Sequence, residues 1–379
     1  MQSLDDFAQA KLAGLAERSL KRTIAPTHRL DGLWVMRGGK KLLSFSCNDY
    51  LNLSHHPSVK AAAKAAVDEY GAGAGASRLI TGDHPLMSAL EARLAAFKGT
   101  EAACVFGSGY LTNTGVIPTL VGEGDLLLVD ELAHSCIHAG SRLSHARVEV
   151  FRHNDLQNMQ EKLRLNRAAG ARCLIATDGV FSMDGDLAPL AELSEIAAAN
   201  DCWLLSDDAH GLGVIGDGRG AVAAAGAPDV PLQMGTLSKS LGSYGGYICA
   251  SAPVIDMIKT RARTLVYATG LPPASAAAAL AALDIIESDP ELCAQPLRKA
   301  RAFAEKVGLA APQSSIVPLV LGEAESALAA SKTLEDQGFL VSAIRPPTVP
   351  AGTARLRFAF TAGHPEYEVD RLAEQVQRL

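Results

Sequence analysis

From about residue 57 to residue 290 the chain alternates helical stretches with short apolar runs, and this rhythm limits the possible folds more than any other feature. The helical stretches cover 57–70, 85–98, 155–168 and 189–200; the apolar runs cover 102–106, 125–129, 148–151, 173–177, 202–206 and 247–250. A run with no polar alternation is a strand buried on both faces, and strands separated by helices return in the same direction. The pattern therefore predicts an α/β fold with a mainly parallel sheet. From about 290 the rhythm changes to helix 290–307, strand 316–321, helix 323–337, strands 339–344 and 355–360, and helix 365–379, which predicts a smaller C-terminal α+β domain with an antiparallel sheet. Ahead of both, apolar runs 33–36 and 42–45 flank Arg37-Gly-Gly-Lys40, a hairpin signal in which glycine supplies positive φ. Residues 1–22 mix Asp5, Asp6, Lys11, Glu17 and Arg18 with apolar residues, as in an amphipathic helix rather than a signal peptide. The expected division is 1–45 for the N-terminal helix and hairpin, 46–288 for a large ligand-binding domain and 289–379 for the small domain.

With 48% hydrophobic and 20% charged residues, the chain is too apolar for disorder. Its 35 Lys and Arg against 41 Asp and Glu leave a net charge of −6. No overall field gathers nucleic acid or anionic membrane, so an anionic ligand must be caught locally. The uncharged stretches 240–255 and 264–283 are broken by Gly245-Gly246 and Pro272-Pro273 and do not read as membrane spans. Seven dispersed cysteines without a CxxC pair point to reduced thiols, a cytoplasmic protein and no cysteine metal site.

Chemistry concentrates in Thr236-Leu-Ser-Lys239-Ser-Leu-Gly242. A lysine among hydroxyls and glycines between two apolar strands is partly desolvated, which favours Schiff-base chemistry, and Thr236 and Ser238 can donate to a phosphate. The plainer alternative is a solvated loop lysine. About thirty residues upstream the run 202–206 ends in Asp207-Asp208-Ala-His210-Gly. Carboxylates at the carboxyl end of a parallel strand sit where α/β proteins bind ligands. Asp207 is placed to keep a pyridine nitrogen protonated, and His210 to bond a ring hydroxyl; a helix cap or a metal site of two Asp and one His are the competing readings. Phe106-Gly-Ser-Gly109-Tyr110 joins a strand to a helix, so the amides of Gly109 and Tyr110 can approach a phosphate. His134, just beyond the next strand, offers a flat ring to stack on a planar ligand. Gly211-Leu-Gly213-Val-Ile-Gly216 matches the dinucleotide pattern, but no helix start follows it, so a nicotinamide site is rejected.

Taken together, Asn48-Asp-Tyr-Leu, Gly73-Ala-Gly75-Ala-Ser77-Arg78, Gly107-Ser-Gly109-Tyr110, His134, Asp178-Gly-Val-Phe-Ser182-Met-Asp-Gly185, Asp207-Asp-Ala-His210 and Thr236-Leu-Ser-Lys239 resemble the α-oxoamine synthases. These are pyridoxal-phosphate enzymes of the aspartate-aminotransferase fold type I, and the resemblance covers about residues 30 to 375. Asn52 and Ala76 depart from it, standing where the family often has Gly. The segments Arg345-Pro-Pro-Thr-Val-Pro-Ala-Gly-Thr353-Ala-Arg-Leu-Arg357 and 46–57 look most like the biotin-pathway member.

The resemblance implies decarboxylative condensation of L-alanine with a pimeloyl thioester, carried on coenzyme A or a carrier protein. In that scheme Lys239 bears the pyridoxal phosphate and later moves the α-proton. Asp207 holds the ring nitrogen's proton, His210 and Ser182 bond the ring oxygen, and His134 stacks on the ring. Gly109, Tyr110 and Thr236 take the phosphate. Arg357 clamps the alanine carboxylate with help from Asn48, while Thr353 and Arg22, or Lys21 beside it, lie along the acyl substrate. The sister reactions of glycine or serine with other thioesters, and a non-catalytic domain of the same fold, are the alternatives. A homodimer is expected, with segment 267–273 reaching a neighbouring site.

Overall fold

Seven strands build the central sheet in the order Ala102–Phe106, Gly246–Ala250, Leu232–Thr236, Trp203–Asp207, Cys173–Asp178, Leu126–Asp130, Arg147–Phe151. Gly246–Ala250 runs antiparallel to both neighbours, and all other pairs of adjacent strands are parallel. The predicted α/β architecture is thus observed. In this computed structural model, which describes residues 2–379, the sheet belongs to a unit formed by 48–182 and 186–297. Strands Leu126–Asp130, Cys173–Asp178 and Leu232–Thr236 are buried at every position, which is why they carry no polar alternation. Edge strand Arg147–Phe151 is buried only at Phe151. One core cluster joins the sheet to its helices through Cys104, Ile117, Leu127, Leu174, Leu205 and Ile248. The direction of the strands gathers Phe106, Asp130, Asp178, Asp207 and Thr236, all carboxyl-terminal residues, at one edge of the sheet, with Asp178 directly beside Asp207.

The second unit comprises the chain through residue 47, residues 183–185 and 298–379. It holds a four-stranded sheet, Thr27–Arg29, Trp34–Arg37, Lys40–Ser44 and Phe339–Leu340, and a three-stranded antiparallel sheet, Ile316–Gly322, Ala354–Ala359 and Ser342–Ile344. The hairpin turns at Gly38 and Gly39, with φ of +55° and +78°. Phe45, Phe303, Phe339, Phe358 and Phe360 form the centre of its core.

Two expectations need correction. The run 339–344 is not one strand. Phe339–Leu340 pairs in parallel with Leu43–Ser44, whereas Ser342–Ile344 pairs with the Ala354–Ala359 strand. The carbonyl of Val341, between them, accepts the Ser331 hydroxyl at 2.6 Å, which takes it out of either ladder. The N-terminal helix covers Gln2–Glu17, ending well before Arg22, and none of its residues is buried. Ser19 then takes a left-handed φ of +55° that ends the helical path. Met1 lies outside the described residues.

Candidate active site

A cavity of about 210 Å³ opens at the carboxyl-terminal edge of the central sheet. It is lined by residues from five segments, among them Gly109, Tyr110, His134, Asp207, His210, Thr236 and Lys239. These positions span 131 residues of sequence, from 109 to 239, and parallel strands bring them together because each strand delivers its following loop to the same edge.

Lys239 lies in the loop between Leu232–Thr236 and Gly246–Ala250. Its Nζ is 2.8 Å from His210 Nε2, and His210 Nδ1 is 2.6 Å from the hydroxyl of Tyr50. Tyr50 also reaches Asn48 Oδ1 at 3.3 Å. Asn48, Tyr50, His210 and Lys239 therefore form one polar chain, and Tyr50, which is fully buried, is the member that sequence reading missed.

Asp207 ends strand Trp203–Asp207 with both oxygens engaged. Asn113 Nδ2 donates to Oδ2 at 2.7 Å and the Ala209 amide donates to Oδ1 at 3.0 Å. Asp178, its neighbour across the ladder, accepts the His134 amide at 3.2 Å. Burial, then the charge of Asp207, pushes the Asp178 carboxyl well above the usual carboxylate range. Asp208 does not share this cavity. Its Oδ2 accepts from Lys98 Nζ at 2.7 Å, with both side chains almost completely buried. That geometry removes the two-aspartate metal reading.

One wall of the cavity is the start of helix Gly109–Leu120. Ser108 caps it, its Oγ accepting from the Leu111 amide at 3.2 Å and its carbonyl from the Thr112 amide at 3.0 Å. The two amides ahead of these, on Gly109 and Tyr110, remain at the cavity wall. A Cβ on Gly246 would lie 2.5 Å from the Gly109 nitrogen, so only glycine keeps that approach open. Thr236 also lines the cavity, but its hydroxyl donates to the Gly245 carbonyl at 2.8 Å and also pairs with Ser238 Oγ at 2.8 Å. His134 caps helix Ser135–Ser144 through its ring and presents an exposed face at the cavity wall.

Ser182, Arg22, Thr353 and Arg357 are not among the residues that line this cavity. Ser182 is buried four residues beyond strand Cys173–Asp178. Arg22, Thr353 and Arg357 belong to the other unit. Within it, Arg22 donates to Thr348 Oγ1 at 2.7 Å, and Thr353 Oγ1 donates to the Pro350 carbonyl at 2.8 Å. Arg357 is buried on strand Ala354–Ala359, opposite Ser342 and Pro318. Its strand neighbour two positions back, Arg355, is committed to Asp184. Segment 267–273 is anchored by the Gly270 amide donating to the Ala76 carbonyl at 2.9 Å, and Tyr267 at its start is exposed. The functional neighbours not anticipated are Tyr50, Asn113, Cys136 and Asp178. All four lie within or at the end of motifs legible in the sequence, at 48–51, 106–113, 130–136 and 178–185, but none carried a role there.

Among the described residues no helix is long and apolar enough to cross a membrane. Residues 40–376 match the family model for aminotransferase class I and II. The chain is 63% identical over 380 residues to the 8-amino-7-oxononanoate synthase of Beijerinckia indica, covering all of this chain and 98% of that protein. It is 67% identical over 345 residues to the enzyme of the same name from Methylocella silvestris, covering 91% and 99%. Among solved structures, the serine palmitoyltransferase of S. paucimobilis with bound PLP–myriocin superposes with a TM-score of 0.92 at 27% identity, covering all of this chain and 98% of that one. The chain belongs to the class I and II aminotransferase family.

Proposed function

We propose that this chain is a pyridoxal-phosphate-dependent acyltransferase that condenses L-alanine with a pimeloyl thioester, giving 8-amino-7-oxononanoate, CO2 and the free thiol carrier. The observation that carries this reading is the cavity in which Lys239, the buried Asp207 and the open start of helix Gly109–Leu120 converge, in a chain whose relatives at 63% and 67% identity bear that enzyme's name.

The residues present suit the cofactor. Lys239 supplies the amine for its aldehyde, Asp207 the counter-charge for a protonated pyridine, and the amides of Gly109 and Tyr110, at a helix start that packs on Gly246 with no room for a Cβ, the donors for its phosphate. When bound, pyridoxal phosphate supplies an electron sink for bonds broken at the amino acid's α-carbon. The rest of the chemistry is the chain's own. Lys239 Nζ takes and returns the α-proton, His210, bonded to both Lys239 and Tyr50, orients it, and His210 and Ser182 would hydrogen-bond the cofactor's ring oxygen. His134 covers one face of the site. Thr236, whose hydroxyl donates to the Gly245 carbonyl, would help hold the phosphate. Arg357 binds the alanine carboxylate bidentately and Asn48 supports it, while Thr353 and Arg22 line the acyl path.

The proposed assembly is a homodimer in the cytoplasm, with segment 267–273 completing the neighbour's site; the seven free cysteines suit a reducing compartment. The test is carrier-thiol release across alanine, glycine and serine, each with pimeloyl, acetyl, succinyl and palmitoyl thioesters. Alanine with pimeloyl thioester should give the highest kcat/KM. Discrimination against glycine should be modest, since one methyl in an apolar pocket is worth only about 1–3 kcal/mol. If glycine with acetyl or succinyl thioester is faster, or serine with palmitoyl thioester, the alanine assignment fails.

A further inference from the structure

Asn113 is completely buried on helix Gly109–Leu120, and its side-chain amide is shared between two partners. Nδ2 donates to Asp207 Oδ2 at 2.7 Å and to Cys136 Sγ at 3.1 Å. A carboxylate accepts and does not donate, so the amide can face Asp207 only with Nδ2. That orientation leaves Asn113 Oδ1 buried with no hydrogen-bond partner. The unpartnered oxygen is the cost of turning Nδ2 towards Asp207 and Cys136.

The second partner continues the chain. Cys136 Sγ lies 2.8 Å from His134 Nδ1, and the Cys136 backbone amide donates to the same nitrogen at 3.3 Å. A ring nitrogen that accepts an N–H carries no proton of its own. The thiol must therefore donate across the 2.8 Å contact, and the imidazole proton sits on Nε2. Burial and the nearby charge of Asp207 push the Cys136 thiol up, so it keeps the hydrogen this bond needs. The sequence of donors runs one way, with Asn113 serving both the carboxylate and the sulfur, and the sulfur serving the histidine.

We propose that Asn113 and Cys136 are positioning residues, an amide–thiol bridge that ties the carboxylate of Asp207 to the imidazole of His134 and holds His134 as the neutral Nε2–H tautomer. The bridge links the group placed for the cofactor's ring nitrogen to the group placed over its face, so the two are set at a fixed distance from each other before any ligand arrives. The inference rests on reading the cavity as a pyridoxal-phosphate site. The charged or titratable groups around His134 are Asp207, Lys239 and His138, with Asp178 bonded to its backbone amide.

The test uses full-length apoprotein labelled with 15N-histidine. Wild-type His134 should show a bare Nδ1 and a protonated Nε2. Removing the donor to the neutral form makes protonation easier, so in Cys136→Ala the His134 titration should move to higher pH. Cys136→Ser, which restores an X–H donor, should move it back. In parallel, pyridoxal-phosphate affinity of the apoprotein should fall about tenfold in Cys136→Ala and recover in Cys136→Ser, as for one lost hydrogen bond. A proton on Nδ1 in the wild-type spectrum overturns the bridge, whether or not any variant folds. So does a folded Cys136→Ala protein whose His134 titration is unchanged. Failure of the wild-type protein to take up pyridoxal phosphate would instead remove the site reading while leaving the tautomer result standing.

Discussion

Replacing Lys98 by Met keeps the side-chain stem but strands the carboxylate of Asp208, one residue beyond Asp207. Lys98 ends helix Pro85–Lys98, and its side chain is 1% exposed; that of Asp208 is 0% exposed. Nζ donates to Asp208 Oδ2 at 2.7 Å and to the Arg219 carbonyl at 2.6 Å, and Asp208 Oδ1 accepts the Ala221 amide at 2.8 Å. The backbone closes tightly over the carboxylate: a Cβ would lie 2.1 Å from Oδ1 at Gly211 and 1.7 Å from Oδ2 at Gly220. Removing one partner of such a pair costs about 3–5 kcal/mol, because the other charge stays buried without compensation.

The cost should depend on pH. Burial raises the Asp208 pKa and the charge of Lys98 opposes that rise, so deleting Lys98 raises it further. An acid whose folded pKa lies above its unfolded value of about 3.9 destabilises the protein above that unfolded value, and the penalty is relieved as pH falls through the folded pKa. The Lys98→Met deficit should therefore be largest near pH 8 and smaller at pH 5. The double variant Lys98→Met with Asp208→Asn carries no stranded charge and should recover much of the loss at pH 8. Urea unfolding followed by Trp203 fluorescence in a Trp34→Phe background measures this in the sheet-bearing unit, since Trp34 lies in the other one. A deficit below about 1 kcal/mol at pH 8, or one equal at pH 5 and pH 8, would refute the buried-pair reasoning.

Borohydride reduction of the holoprotein followed by peptide mapping should place the pyridoxyl group on Lys239, and Lys239→Arg should abolish thiol release; label on another lysine contradicts the site. His153 is bonded to Asp130 at 3.0 Å and Asp186 at 2.7 Å; burial pulls its pKa down, yet these two carboxylates carry it up to about 10. Since the folded pKa exceeds the unfolded value of about 6.5, the stabilisation is complete below about pH 6.5 and is lost as pH rises through 10. The stability difference between wild type and His153→Gln, followed by urea unfolding, should shrink between pH 7 and 10. A difference constant over that range argues against the charged pair.

What the residues disclosed in advance follows from how locally each feature is specified. Lys239, Asp207, His210, His134, Gly109 and Thr236 all lie at or just past the end of a strand on one edge of the sheet, so recognising the strands was enough to bring them together. Their neighbours were hidden because a partner's identity depends on which way a side chain turns. Asn113 reads as one of several polar residues in its helix, between Thr112 and Thr114, and its bonds to Asp207 and Cys136 cross 94 and 23 residues of sequence. Tyr50 reaches His210 across 160.

Asp207 and Asp208 make the same point at single-residue resolution. Both are buried carboxylates at one strand end, and composition does not distinguish them. Successive side chains on an extended backbone point to opposite sides, so one of the pair had to face away from the cavity. Which one is decided by Lys98, 110 residues earlier, whose ammonium occupies the far side and takes Asp208. The residue left for the ligand is the one whose oxygens meet only neutral donors, the Asn113 amide and the Ala209 N–H. A carboxylate already paired with a lysine has its charge satisfied and offers little to a pyridinium, whereas one held by neutral donors keeps its charge for a cationic ligand. The buried pair at Lys98 and Asp208 thus matters to the site by elimination, since it consumes one acid of the Asp207-Asp208 pair and leaves Asp207 to face the cavity beside Asp178.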